Sequence, residues 1–382
     1  MSSTFYLPTT NIIGENALEE SIEQISSLGF KKILIITDKP IVSLGFADLV
    51  KSLLSNKGIE TFVYSGVQPN PTVENAEEGL ALIKKYECDA VISLGGGSPH
   101  DAAKASCLLA TNGGTIHDYE GVNRSKYPQL PLIAINTTAG TASEITRFCI
   151  VTDPERHIKM AIVDVNVTPT MSVNDPFLMK KMPNSLTAAT GLDALTHAVE
   201  ALVSTASTHV TDACAEKAIH LISTHLRSAV KDGDDMVARD GMANAQLLAG
   251  MAFNSASLGY VHALAHQLGG LLDLPHGVCN AVLLPHVQRF NSKVAAGKLA
   301  IVAREFGIDV SNMSQDEAAK KAIEEMVSLA KDVNIPSGLS ELGVRFEHLD
   351  KLADNALKDA CGFTNPIKAT HEELVSILKS AM

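Results

Sequence analysis

Short β-branched runs alternating with helical stretches constrain the N-terminal half of this chain more than any other feature. Residues 32–37 (KILIIT), 61–67 (TFVYSGV) and 89–94 (DAVISL) read as buried strands, with helical stretches over 49–57 and 74–86 between them. Parallel neighbours need crossover connections of roughly a dozen residues or more, so the alternation predicts a parallel sheet covered by helices. Residues 131–136 (PLIAIN) and 171–174 extend the series, and 148–152 with 157–163 flank Asp153-Pro154-Glu155-Arg156 as a hairpin. Beyond Met182-Pro183-Asn184 the strand signal mostly disappears. Ser185 is placed to cap a helix running to about residue 204. Further helices are expected over 211–231, 237–254, 258–271, 278–290, 315–333 and 348–357. Thr370-His371-Glu372-Glu373 forms a capping box for the last one. A chain of 382 residues is long for one core, and two domains are expected, 1–183 (α/β) and 184–382 (all-helical).

The third strand runs into Gly95-Gly96-Gly97-Ser98-Pro99-His100-Asp101 and a helix. Glycines let backbone approach a ligand closely. Ser98 is placed as the N-cap, Pro99 at the first helical position and Asp101 in the first turn. Free N–H groups at the positive end of a helix suit a pyrophosphate, which makes Gly96, Gly97 and Ser98 candidate contacts. The pattern is not G-x-G-x-x-G, and alone it reads equally as a tight, capped turn. Asp38, at the end of the first run, has the chemistry to bind a ribose 2′-hydroxyl and repel a 2′-phosphate. It reads equally as a helix cap. Thr137-Thr138-Ala139-Gly140-Thr141 is a hydroxyl-rich turn suited to a phosphate or ribose, or simply a polar loop.

The helical half carries a different chemistry. Asp193 and His197 are four apart in GLDALTHAVEA, His262 and His266 are four apart in GYVHALAHQLGG, and His276 follows Pro275. Residues four apart share a helix face. Two such helices side by side would gather one carboxylate and two or three imidazoles, a donor set for Fe²⁺ or Zn²⁺. One histidine alone is usually a surface or satisfied core residue. Three within 15 residues, with an Asp-x-x-x-His pair upstream in an apolar segment, point instead to a metal site.

A net charge of −12 argues against nucleic acid or an anionic membrane as partner. No apolar run is long enough to span a bilayer, and MSSTFYLPTTN lacks the basic and apolar regions of a signal peptide, so a cytoplasmic protein is expected. The six cysteines include no C-x-x-C and read as small, reduced, buried residues.

Taken together, GGGSPHD (95–101), TTAGTASE (137–144), HIKMAIVD (157–164), GLDALTHAVEA (191–201), GYVHALAHQLGG (259–270) and LPHGVCNAVLLP (274–285) resemble the iron-containing (group III) alcohol dehydrogenases over essentially the whole chain. The resemblance implies a dehydroquinate synthase-like architecture, an NAD-binding α/β domain followed by a metal-binding helical one. It implies metal ligands Asp193, His197, His262 and His276, with His266 in a catalytic or ligand-orienting role. It implies cofactor contacts from Asp38, Asn70, Gly96, Gly97, Ser98, Thr137, Thr138, Thr141, Phe148 and Lys159. Phe148, Phe253 and Cys361 would line the space beside the nicotinamide. The implied reaction interconverts a short primary alcohol or diol and its aldehyde, in a homo-oligomer such as a dimer, with NAD and Fe²⁺ (or Zn²⁺). A polyol-phosphate dehydrogenase on a similar scaffold is the competing reading. It should need a base near the metal, yet residues 185–285 hold only Lys217, Arg227, Lys231 and Arg239, none beside a ligand motif. A non-enzymatic metal-binding protein would leave the glycine-rich turn unexplained.

Overall fold

The computed structural model describes residues 3–156 and 158–382 and divides into two compact units. One is Tyr6–Lys181; the other is Met182–Met382 together with residues 3–5.

The first unit is built on a six-stranded sheet. Its strands are β1 (Thr10–Ile13), β2 (Lys32–Asp38), β3 (Glu60–Val67), β4 (Ala90–Gly95), β6 (Leu132–Asn136) and β9 (Met171–Asn174). The order is β1-β9-β6-β4-β2-β3, and every pairing is parallel. Ile33, Leu34, Ile35 and Ile36 are all 0% exposed, which explains why the run does not alternate: both sheet faces are covered. The chain steps outward from β2 to β3 and returns to β4 on the other side of β2. The carboxyl ends of β2 and β4, Asp38 and Gly95, therefore flank a topological switch point, where open parallel sheets bind ligands. The expected hairpin is present as β7 (Phe148–Asp153) antiparallel to β8 (Ile158–Val163), joined by β5 (Gly121–Val122) in a separate small sheet. His157 lies outside the described residues.

The second unit is helical. Its central helix, Asn184–Val203, is buried from Gly191 through Val203. Helices His209–Lys231, Met236–Ala256 and His276–Glu305 pack around it. A helix covered on all sides over this stretch forms the interior of the unit. Gly191 permits the close approach, because a Cβ there would lie 2.3 Å from Leu226 Cδ1. The final helix, His371–Ser380, has the expected capping box, with Thr370 Oγ1 accepting the Glu373 N–H.

Several local expectations are corrected. Ser98 does not cap its helix, which spans Gly97–Asn112 with Gly96 as N-cap and no side-chain cap. The chain turns two residues early, after Gly95 at φ +147°, so Ser98 and Pro99 already lie in the first turn. Ser185 is likewise inside its helix, which begins at Asn184 after Pro183. The helix expected over 278–290 runs His276–Glu305, through Pro285 and a non-helical Ala295. That interruption breaks the hydrophobic period, which hid the continuation. The half-exposed edge strand β1 had no clear sequence signal. None of the six cysteines is in a disulfide, but Cys214 and Cys361 are only partly buried.

The helix Val73–Tyr86 approaches Gly97–Asn112 closely at Gly79, where a Cβ would lie 2.2 Å from Ser106 Oγ and 3.2 Å from Ile36 Cδ1. Gly79→Ala should therefore destabilise the protein by about 1–3 kcal/mol, read from the urea midpoint. An unchanged midpoint would show that the contact yields freely.

Candidate metal centre and cofactor-binding loops

In the helical unit, Asp193, His197 and Glu200 share one face of Asn184–Val203. Helix Tyr260–Leu272 supplies His262 and His266, and His276 opens the next helix with Asn280 one turn on. Asp193 Oδ1 lies 3.9 Å from His197 Nε2, 3.8 Å from His262 Nε2 and 3.7 Å from His276 Nε2. The structure thus brings together all four side chains singled out as ligands. The tightest group is Asp193, His262 and His276, with one potential ligand atom from each within 4.8 Å of the others. The Asn280 amide nitrogen sits 2.7 Å from Asp193 Oδ1 and 3.1 Å from both His262 Nε2 and His276 Nε2. A primary amide has two N–H groups for these three sites, so the donor set converges where a positive charge fits better than an amide. Phe253 stacks on His197 at 4.2 Å, and His197 on His262 at 4.6 Å.

Burial, then the neighbouring His197, His276 and His266, holds the His262 imidazole well below its usual pKa. The neutral form is the one that binds metal. Its Nδ1 lies 2.6 Å from Glu200 Oε2, inside the protein. Burial pushes the Glu200 carboxyl up to about 8, against the opposing pull of the Val261, Gly259 and His262 N–H groups.

His266 has a similar arrangement at a more exposed place. Its Nδ1 lies 2.9 Å from Asp359 Oδ2, and Asp359 Oδ1 accepts the Cys361 N–H at 2.9 Å. Burial opposes ionisation of Asp359, but the His266 charge and these hydrogen bonds outweigh it and hold its pKa below the usual carboxylate range. An imidazole anchored through Nδ1 presents Nε2. Cys361, expected beside the substrate, lies in this cluster.

In the α/β unit the two expected phosphate-binding turns are pressed together. Thr137 N–H donates to Gly95 O at 2.9 Å. A Cβ on Gly96 would lie 2.9 Å from Thr138 Cγ2, and one on Gly97 3.0 Å from Thr141 Cγ2. Glycine is required at both for this cradle to form at the start of a helix, a geometry that fits a pyrophosphate. Asp38 caps the short helix Lys39–Ser43 by accepting the Ile41 N–H at 2.9 Å. Lys159 Nζ donates to Asn70 Oδ1 at 2.8 Å, so two residues far apart in sequence meet. Phe148 opens β7, and its carbonyl accepts from Lys104 Nζ at 2.6 Å. Lys104 is fully buried and also donates to Ser143 Oγ at 2.9 Å, with Asp101 Oδ1 3.8 Å away. Asp101 in turn accepts from Ser143 Oγ at 2.6 Å and Ile150 N–H at 3.0 Å. This buried pair fastens the glycine turn's helix to the 141–150 segment.

Four residues in these sites escaped the sequence reading: Glu200, Asn280, Asp359 and Lys104. Glu200 and Lys104 did leave a signal, an ionisable residue in an otherwise apolar helical run. Asn280 and Asp359 left none.

The sequence pattern described as "Iron-containing alcohol dehydrogenase" matches residues 8–176, and "Fe-containing alcohol dehydrogenase family, C-terminal" matches 187–382. The chain belongs to the iron-containing alcohol dehydrogenase family. It is 55% identical to alcohol dehydrogenase 4 of Schizosaccharomyces pombe, over all of this chain and 89% of that one. It is 43% identical to the NAD-dependent methanol dehydrogenase of Bacillus methanolicus, over the full length of both. The crystal structure of a 1,3-propanediol oxidoreductase superposes with a TM-score of 0.98 at 46% identity, again over both full chains. Membership makes this chain an oxidoreductase of the alcohol dehydrogenase kind.

Lys104→Met should cost on the order of 3–5 kcal/mol, because it leaves Asp101 without its cation. Chemical denaturation measures this; a loss below about 1 kcal/mol would mean that Asp101 is satisfied without Lys104.

Proposed function

We propose that this protein reversibly oxidises a short primary alcohol or diol to its aldehyde, with NAD as hydride acceptor and a divalent metal, Fe²⁺ with Zn²⁺ as the competitor, held by Asp193, His197, His262 and His276. The convergence of those four side chains carries the reading. The unit Tyr6–Lys181 is the NAD-binding domain and Met182–Met382 the metal-binding one, close to the 1–183 and 184–382 expected from sequence. Gly96, Gly97, Ser98, Thr137, Thr138 and Thr141 cradle the pyrophosphate, Asp38 takes the adenosine ribose, and Asn70, Lys159 and Phe148 complete the cofactor contacts. The enzyme works in the cytoplasm as a homodimer; among the described residues no helix is long and apolar enough to cross a membrane.

When bound, the metal supplies Lewis acidity to the substrate oxygen and NAD supplies the redox chemistry. The chain's own residues do the rest. His266, anchored at Nδ1 by Asp359, offers Nε2 as the relay for the alcohol proton. Phe253 and Cys361 give the substrate an apolar wall. A phosphorylated substrate would need a free base, and the two arginines in 185–285 are spent elsewhere. Arg239 is 1% exposed and donates to Thr187 Oγ1 and Gly233 O. Arg227 pairs with Glu325 at 2.7 Å and Asp332 at 2.8 Å.

The deciding experiment is an NAD- and NADH-linked assay over short alcohols, diols, aldehydes and polyol phosphates, with metal content measured on the same sample. His276→Ala should lose bound metal and nearly all turnover while remaining folded; full occupancy with normal turnover would remove it from the ligand set.

NAD(H) should be preferred over NADP(H), because a 2′-phosphate beside Asp38 meets like charge. Asp38→Gly should improve use of NADP(H), at a capping cost of only a few tenths of a kcal/mol. Equal efficiency of the parent with both cofactors would defeat this assignment.

Specificity constants should rise over the first few carbons, at roughly 0.8 kcal/mol per buried methylene, then fall once the chain outgrows the pocket. Phe253→Ala should move the optimum to longer alcohols. Because Phe253 stacks on His197 at 4.2 Å, metal content must be checked in the same variant. A chain-length profile identical to the parent's, at full metal occupancy, would take Phe253 out of the pocket.

A further inference from the structure

Glu200 is 1% exposed, on the same helix face as Asp193 and His197. Among the described residues no Lys or Arg pairs with it or with Asp193, and histidines are their only ion-pair partners. Its two oxygens have distinct partners. Oε2 lies 2.6 Å from His262 Nδ1. Oε1 accepts the Val261 N–H at 2.7 Å. That N–H belongs to the first turn of Tyr260–Leu272, a helix whose N-cap, Gly259, has no side chain to offer. A Cβ on Gly259 would lie 2.7 Å from Glu200 Oε1 and 2.7 Å from Asn365 Oδ1. The glycine is therefore what lets the carboxylate reach the helix end. Glu200 thus grips the helix that carries His262 at its backbone and at its imidazole together.

We infer that Glu200 is a positioning residue of the metal centre: it holds the His262 proton on Nδ1 and aims the Nε2 lone pair at the ligand cluster. This rests on the metal-centre reading above. A carboxylate behind a ligating imidazole fixes its tautomer and raises its basicity, and removing such a partner typically weakens metal binding about 10–100-fold. Glu200→Gln is the discriminating change. Its amide oxygen can still accept the Val261 N–H, but its NH₂ faces Nδ1. That drives the His262 proton to Nε2, where it blocks ligation.

The test measures Zn²⁺ and Co²⁺ dissociation constants by chelator competition on metal-stripped full-length protein. The Co²⁺ visible spectrum and the melting temperature of the metal-free form are recorded alongside. Glu200→Gln should bind both ions about 10–100-fold more weakly than the parent and shift the Co²⁺ bands, while the metal-free protein melts no lower. Parent-like affinity overturns the inference, with or without a lower metal-free melting temperature; a lower one would mark Glu200 as a helix cap only. Should Glu200→Gln fail to fold, Gly259→Ala, which displaces the carboxylate without removing it, should weaken both ions similarly, and parent-like affinity there is equally fatal. A parent that binds neither ion overturns the metal-centre reading itself, an outcome distinct from a parent that binds and a variant that binds equally well.

Discussion

Two buried carboxylates that, among the described residues, pair with histidines and with no arginine or lysine govern the helical unit. Asp193 is 2% exposed and Glu200 1%, both on a helix buried from Gly191 through Val203. Isolated buried charge is costly, and it persists only when hydrogen bonds and a counter-charge offset it. Hydrogen bonds are present: the Val261 N–H and the His262 imidazole on Glu200, and the Asn280 amide on Asp193. The cluster also suits a cation as counter-charge. The helices around Asn184–Val203 then act as a mould that fixes where it goes. Gly191 lets Leu226 close over the ligand helix, and Gly277 lets the His276 end settle against Ala189, since a Cβ there would lie 2.5 Å from its carbonyl oxygen.

The α/β unit resolves a similar problem the other way. Asp101 and Lys104 are one turn apart on Gly97–Asn112, and the chain provides both signs of charge itself. The pair's side chains hydrogen-bond to the neighbouring segment between Ser143 and Ile150. The pair is thus structural. It sets the spacing between a glycine turn and a threonine turn that approach so closely that a Cβ on Gly96 or Gly97 would be crowded. What this unit leaves open is backbone at a helix start, suited to an anion. What the helical unit leaves open is a negative cluster, suited to a cation. The complementary chemistry follows from which charges each unit satisfies internally.

Much of this was legible because it is local. The i, i+4 spacing of Asp193 with His197 put both on one helix face, and the fully apolar run at 33–36 announced a strand covered on both sides. The parallel sheet followed from alternation alone. What was illegible depends on partners distant in sequence. Asn280 matters because His262 and Asp193 converge on it, and Asp359 because His266 reaches it across 93 positions. The cap assignments at Ser98 and Ser185 failed for a related reason. A serine before a helical run is the usual signal, but each helix had already started two positions earlier, one after a glycine at φ +147° and the other after a proline. Glu200 was readable in principle, as a lone carboxylate in AVEALV, but its partners, Val261 and His262, lie 61 and 62 positions away.

His262 and His266 show how far spacing goes and where it stops. They are four apart on one helix, and each has a carboxylate at its Nδ1, 2.6 Å and 2.9 Å away. Sequence treats them as equals. Their surroundings do not. The His262 side chain is 2% exposed, and its Nε2 faces Asp193, where only a neutral imidazole with a free lone pair is useful. The His266 side chain is 22% exposed, stacked on His276 at 5.5 Å, and Asp193 is absent from its ion pairs. An imidazole that is anchored, partly wet and next to the cluster without joining it can gain and lose a proton without disturbing a ligand. The same carboxylate–imidazole unit, placed at two depths on one helix, therefore suits ligation at the first and proton transfer at the second.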